Sequence, residues 1–283
     1  MIKLKNIIKE YNNTSQIRTS EISLETAVEL IEKSGIQYDE NTIFPYRGTE
    51  NVVEYGFVQP SLHNRTSRFT SNIYTLLMDN LPCWKSYPKR SKSIMCSTNK
   101  SNANNYHGEL NDEAYVVIPL NKNAKFGVCS SHDLWFSFKN GIGFSMEDFN
   151  ILIANMDKRF TNREIYTYTK YKELLILFKH MDKLKNGDNG NDLIYDHIMS
   201  TMHDIIEQEY FLKWLRNPDI TLHDYIAESI CPKKNGFKLI KFYKDNTSLI
   251  SDNEVWTDSD CVLVLSSNVN QINKKLKNKI GMY

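Results

Sequence analysis

Three short stretches of the chain carry side chains that could bind an anion and stabilise a developing positive charge. Arg47 lies in a Tyr-Arg-Gly stretch, Ser97 and Thr98 follow the apolar run Ile-Met-Cys, and Glu254 opens the run Glu-Val-Trp. A guanidinium makes bidentate, charge-assisted contacts to phosphate groups. A carboxylate can stabilise a cation that forms during bond cleavage. The three stretches therefore define a candidate site, provided that the fold brings them together.

Each of these residues also has an ordinary structural explanation. Arg47 could make a surface ion pair, and Ser97 with Thr98 could form a turn in which the hydroxyls bind nearby backbone groups. Glu254 could be an exposed carboxylate at the start of a strand. The residue types by themselves leave both interpretations open.

Hydrophobic periodicity predicts the elements that must position these residues. Helices are expected over 20–34, where Ser23 can cap the first turn, and over 70–81, where Pro82 ends the helical pattern. Apolar runs predict strands over 42–46, 93–97, 114–119, 124–129 and 237–243, with one bulged strand or a strand pair over 254–265. The segment 51–65 is polar and is expected to be a loop.

The pattern between 145 and 232 is helical, and strands return after it. We therefore expect an α+β fold in which a helical block interrupts a strand-rich domain, because the last strands alone would form an isolated, marginal sheet. The predicted divisions are 1–43 for an N-terminal helical segment, 44–144 for the first part of the domain, 145–236 for the helical insertion and 237–283 for the final strands.

Composition is that of an ordinary water-soluble domain. The 283 residues are 41% hydrophobic and 24% charged, with a net charge of +1, so bulk electrostatics does not indicate a nucleic-acid partner. The first residues lack the apolar core of a signal peptide, and no apolar run is long enough to span a bilayer. We expect a cytoplasmic protein without a membrane partner, of undetermined oligomeric state.

Metal and thiol chemistry are not indicated by the sequence. The five cysteines include no Cys-x-x-Cys pair, and the histidines form no metal-binding pattern. Cys96, Cys129 and Cys261 lie in apolar strand-like runs, which predicts buried, reduced thiols.

The residues that follow Ser97 and Thr98 make the candidate site more specific. An Ala-x-x-Tyr stretch ending at Tyr106 is followed by Val-Ile-Pro ending at Pro119, and then by Ala-Lys-Phe-Gly ending at Gly127. Together with Arg47 and Glu254, this order resembles the mono-ADP-ribosyltransferases of the Arg-Ser-Glu type, in forms encoded by phages or related to bacterial toxins. The resemblance covers 44–135 and 253–264, somewhat less than half of the chain.

The resemblance implies two packed antiparallel sheets around a cleft for NAD, which is consumed as the donor of ADP-ribose without a metal. It implies catalytic roles for Glu254, Ser97 and Arg47. It implies NAD contacts from Arg47, Gly48, Thr49, Ser97, Thr98 and Tyr106. Tyr106 would stack on the nicotinamide, although packing between helix and sheet would explain it equally well. The acceptor would be a host protein or a nucleic acid.

Two positions depart from the family's pattern. Asn99 stands where a third hydroxyl is expected, and Asp252 stands two residues before Glu254, where the family has glutamate or glutamine. Asp252 could act on the acceptor side, but its short side chain leaves the acceptor undetermined. The segment 131–135 competes for the position of the third motif, yet it contains no glutamate.

A basic stretch precedes the second motif, and its function is open between two interpretations. The residues are Arg65, Arg68, Lys85, Lys89, Arg90 and Lys92, interleaved with Trp84 and Tyr87. They could contact NAD phosphates or an anionic partner such as RNA. They could equally form a solvated basic loop.

Two functions of other classes remain beside the transferase. One is a module that binds NAD or a nucleotide without cleaving it, and the other is a phage inhibitor that binds a host factor through its helical block. We expect the block at 145–232 to select the target or cap the cleft. Its apolar side chains, such as Ile205, Ile206, Tyr210, Phe211 and Trp214, could instead simply form core.

Overall fold

The computed structural model describes residues 18–36, 42–48, 53–65, 72–104, 113–138, 170–187, 190–201, 205–245 and 252–280. The strands are β1 (Ser20–Glu21), β2 (Tyr46–Arg47), β3 (Tyr55–Val58), β4 (Ile94–Ser97), β5 (Tyr115–Pro119), β6 (Lys125–Val128), β7 (Lys238–Lys241), β8 (Glu254–Thr257) and β9 (Cys261–Leu265). The helices are α1 (Leu24–Lys33), α2 (Ile73–Asn80), α3 (Lys100–Asn104), α4 (Leu134–Ser137), α5 (Tyr171–Lys185), α6 (Gly190–Thr201), α7 (Ile205–Leu215), α8 (Leu222–Ser229), α9 (Phe242–Asp245) and α10 (Val269–Ile280).

The strands of the described residues form one nine-stranded sheet in the order β1-β3-β9-β5-β2-β4-β8-β6-β7. Each neighbouring pair is antiparallel. The expected α+β class is confirmed, whereas two separate sheets are not found among the described strands. The reason lies in β2, where Tyr46 pairs with Ser97 of β4 and with Val116 of β5. This short strand joins the two halves of the sheet in one hydrogen-bonded ladder.

Helix α1 begins where the sequence predicts it. Ser23 has extended backbone angles, and its hydroxyl accepts a hydrogen bond from the Thr26 amide at 3.1 Å, which satisfies an amide that the helix itself leaves without an acceptor. The helix buries Ala27, Val28 and Ile31 in the core. Its N-terminal turn also contacts α10, because Lys275 Nζ lies 2.7 Å from Glu25 Oε1.

Strand β3 lies in the segment for which the sequence predicted a loop, and that prediction is wrong. The strand has four residues and contains Gly56, and glycine disfavours strand formation. The structure explains the glycine, because a Cβ atom at Gly56 would overlap the side chain of Thr19. Close approach of β1 to β3 therefore requires a residue without a side chain here.

Two hydrophobic clusters cover the sheet. Val255 belongs to one cluster and Trp256 to the other, and since successive strand residues point to opposite faces, the clusters lie on opposite sides of β8. The cluster of Val255 contains residues of α1, α9 and α10, and the cluster of Trp256 contains residues of α2, α4, α5, α6, α7 and α8. The helical elements thus form a layer on each face.

The described helices α5 to α8 lie in the chain between β6 and β7, which pair with each other over four residues. Phe211 and Trp214 are fully buried in the cluster of Trp256, so for these two side chains the interpretation as core is correct. The side chains of Ile205, Ile206 and Tyr210 lie outside the described residues. Target selection by this block stays a prediction.

Candidate functional site

Ser97 and Glu254 are direct neighbours across the sheet. They are partners in the antiparallel register of β4 and β8, and directly opposite residues have Cβ atoms about 5 Å apart on the same face. The sequence predicted that these residues, 157 positions apart in the chain, share one site, and the register brings them together. Ser97 is buried, and Glu254 retains 16% exposure of its side chain.

Arg47 lies on the other neighbour of β4. The pairing between β2 and β4 is limited to Tyr46 and Ser97, so the carbonyl group of Met95 lies beyond the end of the ladder. Arg47 Nη1 donates a hydrogen bond to this carbonyl oxygen at 2.7 Å. The guanidinium thus takes the place of a backbone donor, and partial burial lowers the pKa of Arg47. The three motifs consequently lie on three adjacent strands.

The carboxylate of Glu254 is held by two donors. Arg90 Nη2 lies 2.5 Å from Oε1, and the amide of Leu134 donates to Oε2 at 3.0 Å. Leu134 is the first residue of α4, so the segment that competed for the third motif lies beside Glu254 and fixes its orientation. A carboxylate offers about four lone-pair positions, so these two bonds leave room for a further donor.

Arg90 is the buried partner of this ion pair, with 4% of its side chain exposed. Its guanidinium lies over the rings of Tyr74 and Trp256, at 5.5 Å from each centroid, as in cation–π contacts. Burial acts to lower the pKa of Arg90, but the charge of Glu254, with smaller contributions from Tyr74, Cys129 and the hydrogen bond to Glu254, outweighs burial, and the pKa is raised. Arg90 therefore stays charged and anchors Glu254.

Two residues place Arg90 in this position. Asp79, at the end of α2, accepts hydrogen bonds from the amides of Arg90 at 2.6 Å and Ser91 at 3.1 Å. Gly127 lies opposite Trp256 in the sheet, and a Cβ atom there would overlap the indole ring. The ring under Arg90 thus lies against a position that requires glycine.

The turn after β4 is organised by its polar side chains. Ser97 Oγ accepts a hydrogen bond from the Asn99 amide at 3.0 Å, and its O–H can still donate. Asn99 Oδ1 accepts from the Ser101 amide at 2.9 Å and lies 3.4 Å from the Asn102 amide. Asn99, which departs from the family's hydroxyl pattern, therefore caps helix α3. Asparagine suits that position as well as serine does.

Thr98 and Asp252 bind groups near the same strand ends. Thr98 Oγ1 accepts from the Asn253 amide at 2.8 Å, which extends the β4–β8 pairing through a side chain. Asp252 is exposed, and its Oδ1 accepts from Asn102 Nδ2 at 2.7 Å. The NAD contact of Thr98 and the acceptor-side role of Asp252 stay predictions.

Arg65 lies in the electrostatic surroundings of Arg90 and Glu254. Burial lowers the pKa of Arg65, and the charge of Arg90 lowers it further, with a smaller contribution from Arg47, while Glu254 acts in the opposite direction. The backbone amide of Arg65 donates a hydrogen bond to the carbonyl oxygen of Ser91 at 2.7 Å, which connects Arg65 to the segment that contains Arg90.

Not every predicted site residue can be located. Thr49 and Tyr106 lie outside the described residues, and so does Arg68 of the basic stretch. Gly48 is described and follows β2 directly. Their predicted contacts with NAD stay predictions.

The burial of Arg90 and its contacts were not predicted from the sequence. The basic stretch was expected either to contact an anion or to be solvated, and Lys85 and Lys89 are indeed exposed. Arg90 is buried because Tyr74, Trp256 and Glu254 enclose it, and two of these lie more than 160 residues away in the chain. Trp84 is also buried, and its indole donates to the Ile230 carbonyl at 3.1 Å. No local pattern separates Arg90 from its exposed neighbours.

Comparison with protein-family models, curated proteins and solved structures finds no match. Within the part of the chain that the structure describes, no group of three or more histidine, cysteine, aspartate or glutamate residues could hold a metal ion. The five cysteines are free thiols, and Cys96, Cys129 and Cys261 are buried as expected. None of the described helices is both long and apolar enough to cross a membrane.

Proposed function

We propose that the protein is a mono-ADP-ribosyltransferase that cleaves NAD, releases nicotinamide and transfers ADP-ribose to a host macromolecule. The observation that carries the proposal is the register of β4 and β8, which pairs Ser97 with Glu254 while Arg47 lies on the next strand. Residues of three separate motifs, chosen from the sequence for this chemistry, are thus adjacent in one sheet.

The roles of the residues follow from their chemistry. Arg47 would bind the pyrophosphate of NAD, since a guanidinium forms bidentate, charge-assisted contacts to phosphate. Ser97 would donate its O–H to the nicotinamide ribose. Glu254 would accept a hydrogen bond from the ribose hydroxyl and stabilise the oxocarbenium-like cation that forms as the glycosidic bond breaks. The hydrogen bond from the Leu134 amide would keep the carboxylate oriented.

The test is the release of nicotinamide from NAD by the purified protein, followed by transfer of labelled ADP-ribose to macromolecules of a host lysate. We expect wild type to release nicotinamide and Glu254→Gln to release almost none. Glu209→Gln is the matched control, because Glu209 is an exposed glutamate whose ion pair is with Arg216. Equal release by all three proteins would contradict the assignment of Glu254.

One observation favours a second function, the binding of NAD or a nucleotide without cleavage. Both carboxylate oxygens of Glu254 already accept hydrogen bonds, and one of them is in a buried ion pair with Arg90. An anion so well compensated is less able to stabilise a new cation. NAD binding by calorimetry with no release of nicotinamide would support this second function and exclude the first.

A further inference from the structure

We infer that Arg65 and Arg90 form a phosphate-binding subsite beside Glu254, suited to a pyrophosphate group. The inference goes beyond the proposed function, because it concerns anion binding by two residues for which the motifs give no role. It would hold whether or not the protein cleaves NAD.

The first support is an unsatisfied hydrogen-bonding capacity on Arg90. One nitrogen, Nη2, binds Glu254, whereas the buried nitrogens Nε and Nη1 have no hydrogen-bond partner among the described residues. Buried polar groups are normally paired, because a buried donor without an acceptor loses the hydrogen bond that it would otherwise make to water. A guanidinium binds an oxyanion in bidentate geometry along one of two edges, Nε with Nη2 or Nη1 with Nη2. The free nitrogen on the edge that Glu254 does not use can therefore bind a phosphate group together with the second N–H of Nη2.

The second support is that Arg65 also has a nitrogen without a hydrogen-bond partner. Its Nη1 is also buried without a hydrogen-bond partner within the described residues. No carboxylate forms an ion pair with Arg65 in this part of the chain, and the pKa of Arg65 is lowered by burial and by the charge of Arg90. Two arginines that repel each other, with unused donors, are an unfavourable arrangement in the protein alone.

A bound oxyanion would supply acceptors for the unpaired nitrogens and would reduce the repulsion between the two arginines. Phosphate accepts several hydrogen bonds, and its negative charge would offset the repulsion between Arg65 and Arg90. Pyrophosphate is favoured over a monocarboxylate, because it can accept from Arg65 and Arg90 together while Arg90 Nη2 stays on Glu254.

The experiment measures binding of inorganic pyrophosphate to the full chain by calorimetry, at fixed ionic strength. We expect Arg65→Gln to weaken binding about tenfold or more, as the loss of one charge-assisted contact implies. Arg216→Gln is the matched control, because Arg216 is exposed and pairs with Glu209; its affinity should equal that of wild type. Equal affinity of Arg65→Gln and Arg216→Gln, or no binding by wild type, would overturn the inference.

Thermal melting of the same variants tests whether they fold. Arg65→Gln should melt at the same temperature as wild type or higher without ligand, because it removes repulsion from Arg90, and a lower melting temperature would assign Arg65 to the fold instead. Arg90→Lys keeps a charge opposite Glu254 but lacks the free guanidinium edge, so it should fold and also lose affinity about tenfold. Unchanged affinity in folded Arg90→Lys would likewise contradict the subsite.

Two sources of the pyrophosphate are distinguished by repeating the titration with ADP. Tighter binding of ADP than of inorganic pyrophosphate, with the same loss in Arg65→Gln, supports a nucleotide as ligand, and equal binding supports the inorganic anion. Pyrophosphate binding without nicotinamide release would disprove the proposed function and support the subsite. Nicotinamide release, with pyrophosphate binding that Arg65→Gln does not weaken, would support the proposed function and disprove the subsite.

Discussion

Arg90 and Lys185 are both buried cations, but the protein satisfies them in opposite ways. Lys185 Nζ donates to the carbonyl oxygens of Asn217 at 2.9 Å and Ile220 at 2.7 Å, and lies 3.5 Å from that of Trp214. All three acceptors belong to the end of α7 and the turn after it. Arg90 binds one carboxylate oxygen and leaves two buried nitrogens without a partner among the described residues.

This difference in pairing distinguishes a cation with a structural role, Lys185, from a cation that has donors available to a ligand, Arg90. Lys185 supplies positive charge and three donors at a helix C-terminus, where carbonyl groups lack intrahelical partners. Its ring contact with Trp214, at 5.2 Å, completes the enclosure. Arg90 is enclosed as closely, yet only part of its hydrogen-bonding capacity is used. Burial alone therefore does not identify a cation that binds a ligand, and the proposed subsite depends on the donors of Arg90 that are not used.

The largest expected effect is on stability, from Arg90→Met. Removal of one partner of a buried ion pair leaves the other charge uncompensated, which costs about 3–5 kcal/mol. The free energy of unfolding from urea denaturation measures the loss. Because Glu254 causes this cost, the double variant Arg90→Met/Glu254→Leu should recover most of it. A double variant as unstable as Arg90→Met would mean that Arg90 acts through its ring contacts with Tyr74 and Trp256 instead.

The next effect is on catalysis, from Glu254→Gln. The substitution keeps the shape of the side chain and removes the charge that would face the developing cation. We expect nicotinamide release to fall on the order of 10²–10³-fold, with NAD affinity largely kept. Arg47→Ala should instead weaken NAD binding more than turnover. Parallel losses of affinity in both variants, without a selective loss of rate in Glu254→Gln, would contradict these roles.

The strands that carry Ser97 and Glu254 were predictable from the sequence. Apolar runs mark β4 and β8, and polar or charged residues at their ends identify Ser97 and Glu254 as candidates. The register that pairs Ser97 with Glu254 was not predictable in the same way, because Val255 and Trp256 are both buried, on opposite faces, and no alternation of apolar and polar residues marks one face. The stretch 254–265 was predicted as a strand pair or one bulged strand, and it contains two strands, β8 and β9, that are not neighbours in the sheet.

The partners of Glu254 were not predictable, because both lie at the start of a short helical turn that no sequence pattern marks. Arg90 lies in a single tight turn, and Leu134 contributes a backbone amide, which has no signature in side-chain type. The strand containing Gly56 was missed for a related reason. Its glycine is explained by contact with Thr19, which directly precedes β1, whereas the local sequence favours a loop.

A smaller effect is expected from Lys185→Met, which tests the structural side of the comparison. Methionine fills the volume but leaves the carbonyl groups of Asn217 and Ile220 without their donor, at a cost of about 1–3 kcal/mol. Lys183→Met is the matched control, because Lys183 is exposed on the same helix. Nicotinamide release per folded molecule should be unchanged in both. A loss of activity in folded Lys185→Met would show that the helical block contributes to catalysis.

The smallest effect concerns Glu113, a carboxylate that is satisfied as fully as Lys185. Its oxygens accept from the hydroxyls of Ser266 and Ser267, each at 2.9 Å, and from the Ser267 amide, so it anchors the turn that precedes α10. Partial burial acts to raise the pKa of Glu113, but these hydrogen bonds outweigh it and the pKa lies below its ordinary value. The folded state therefore binds this proton less tightly than the unfolded state does.

It follows that the stability contributed by Glu113 is fully present above the unfolded pKa near 4.5 and is lost as the pH falls through the lower folded pKa. Glu113→Gln should cost about 0.5 kcal/mol at pH 7, as is typical of partly exposed charge interactions, and the difference from wild type should shrink toward acid pH. Unfolding by urea between pH 7 and pH 3 measures it. Glu228→Gln, an exposed control whose ion pair is with Lys234, should show a smaller difference throughout. A Glu113→Gln difference that is constant with pH would mean that shape, and not charge, holds this turn.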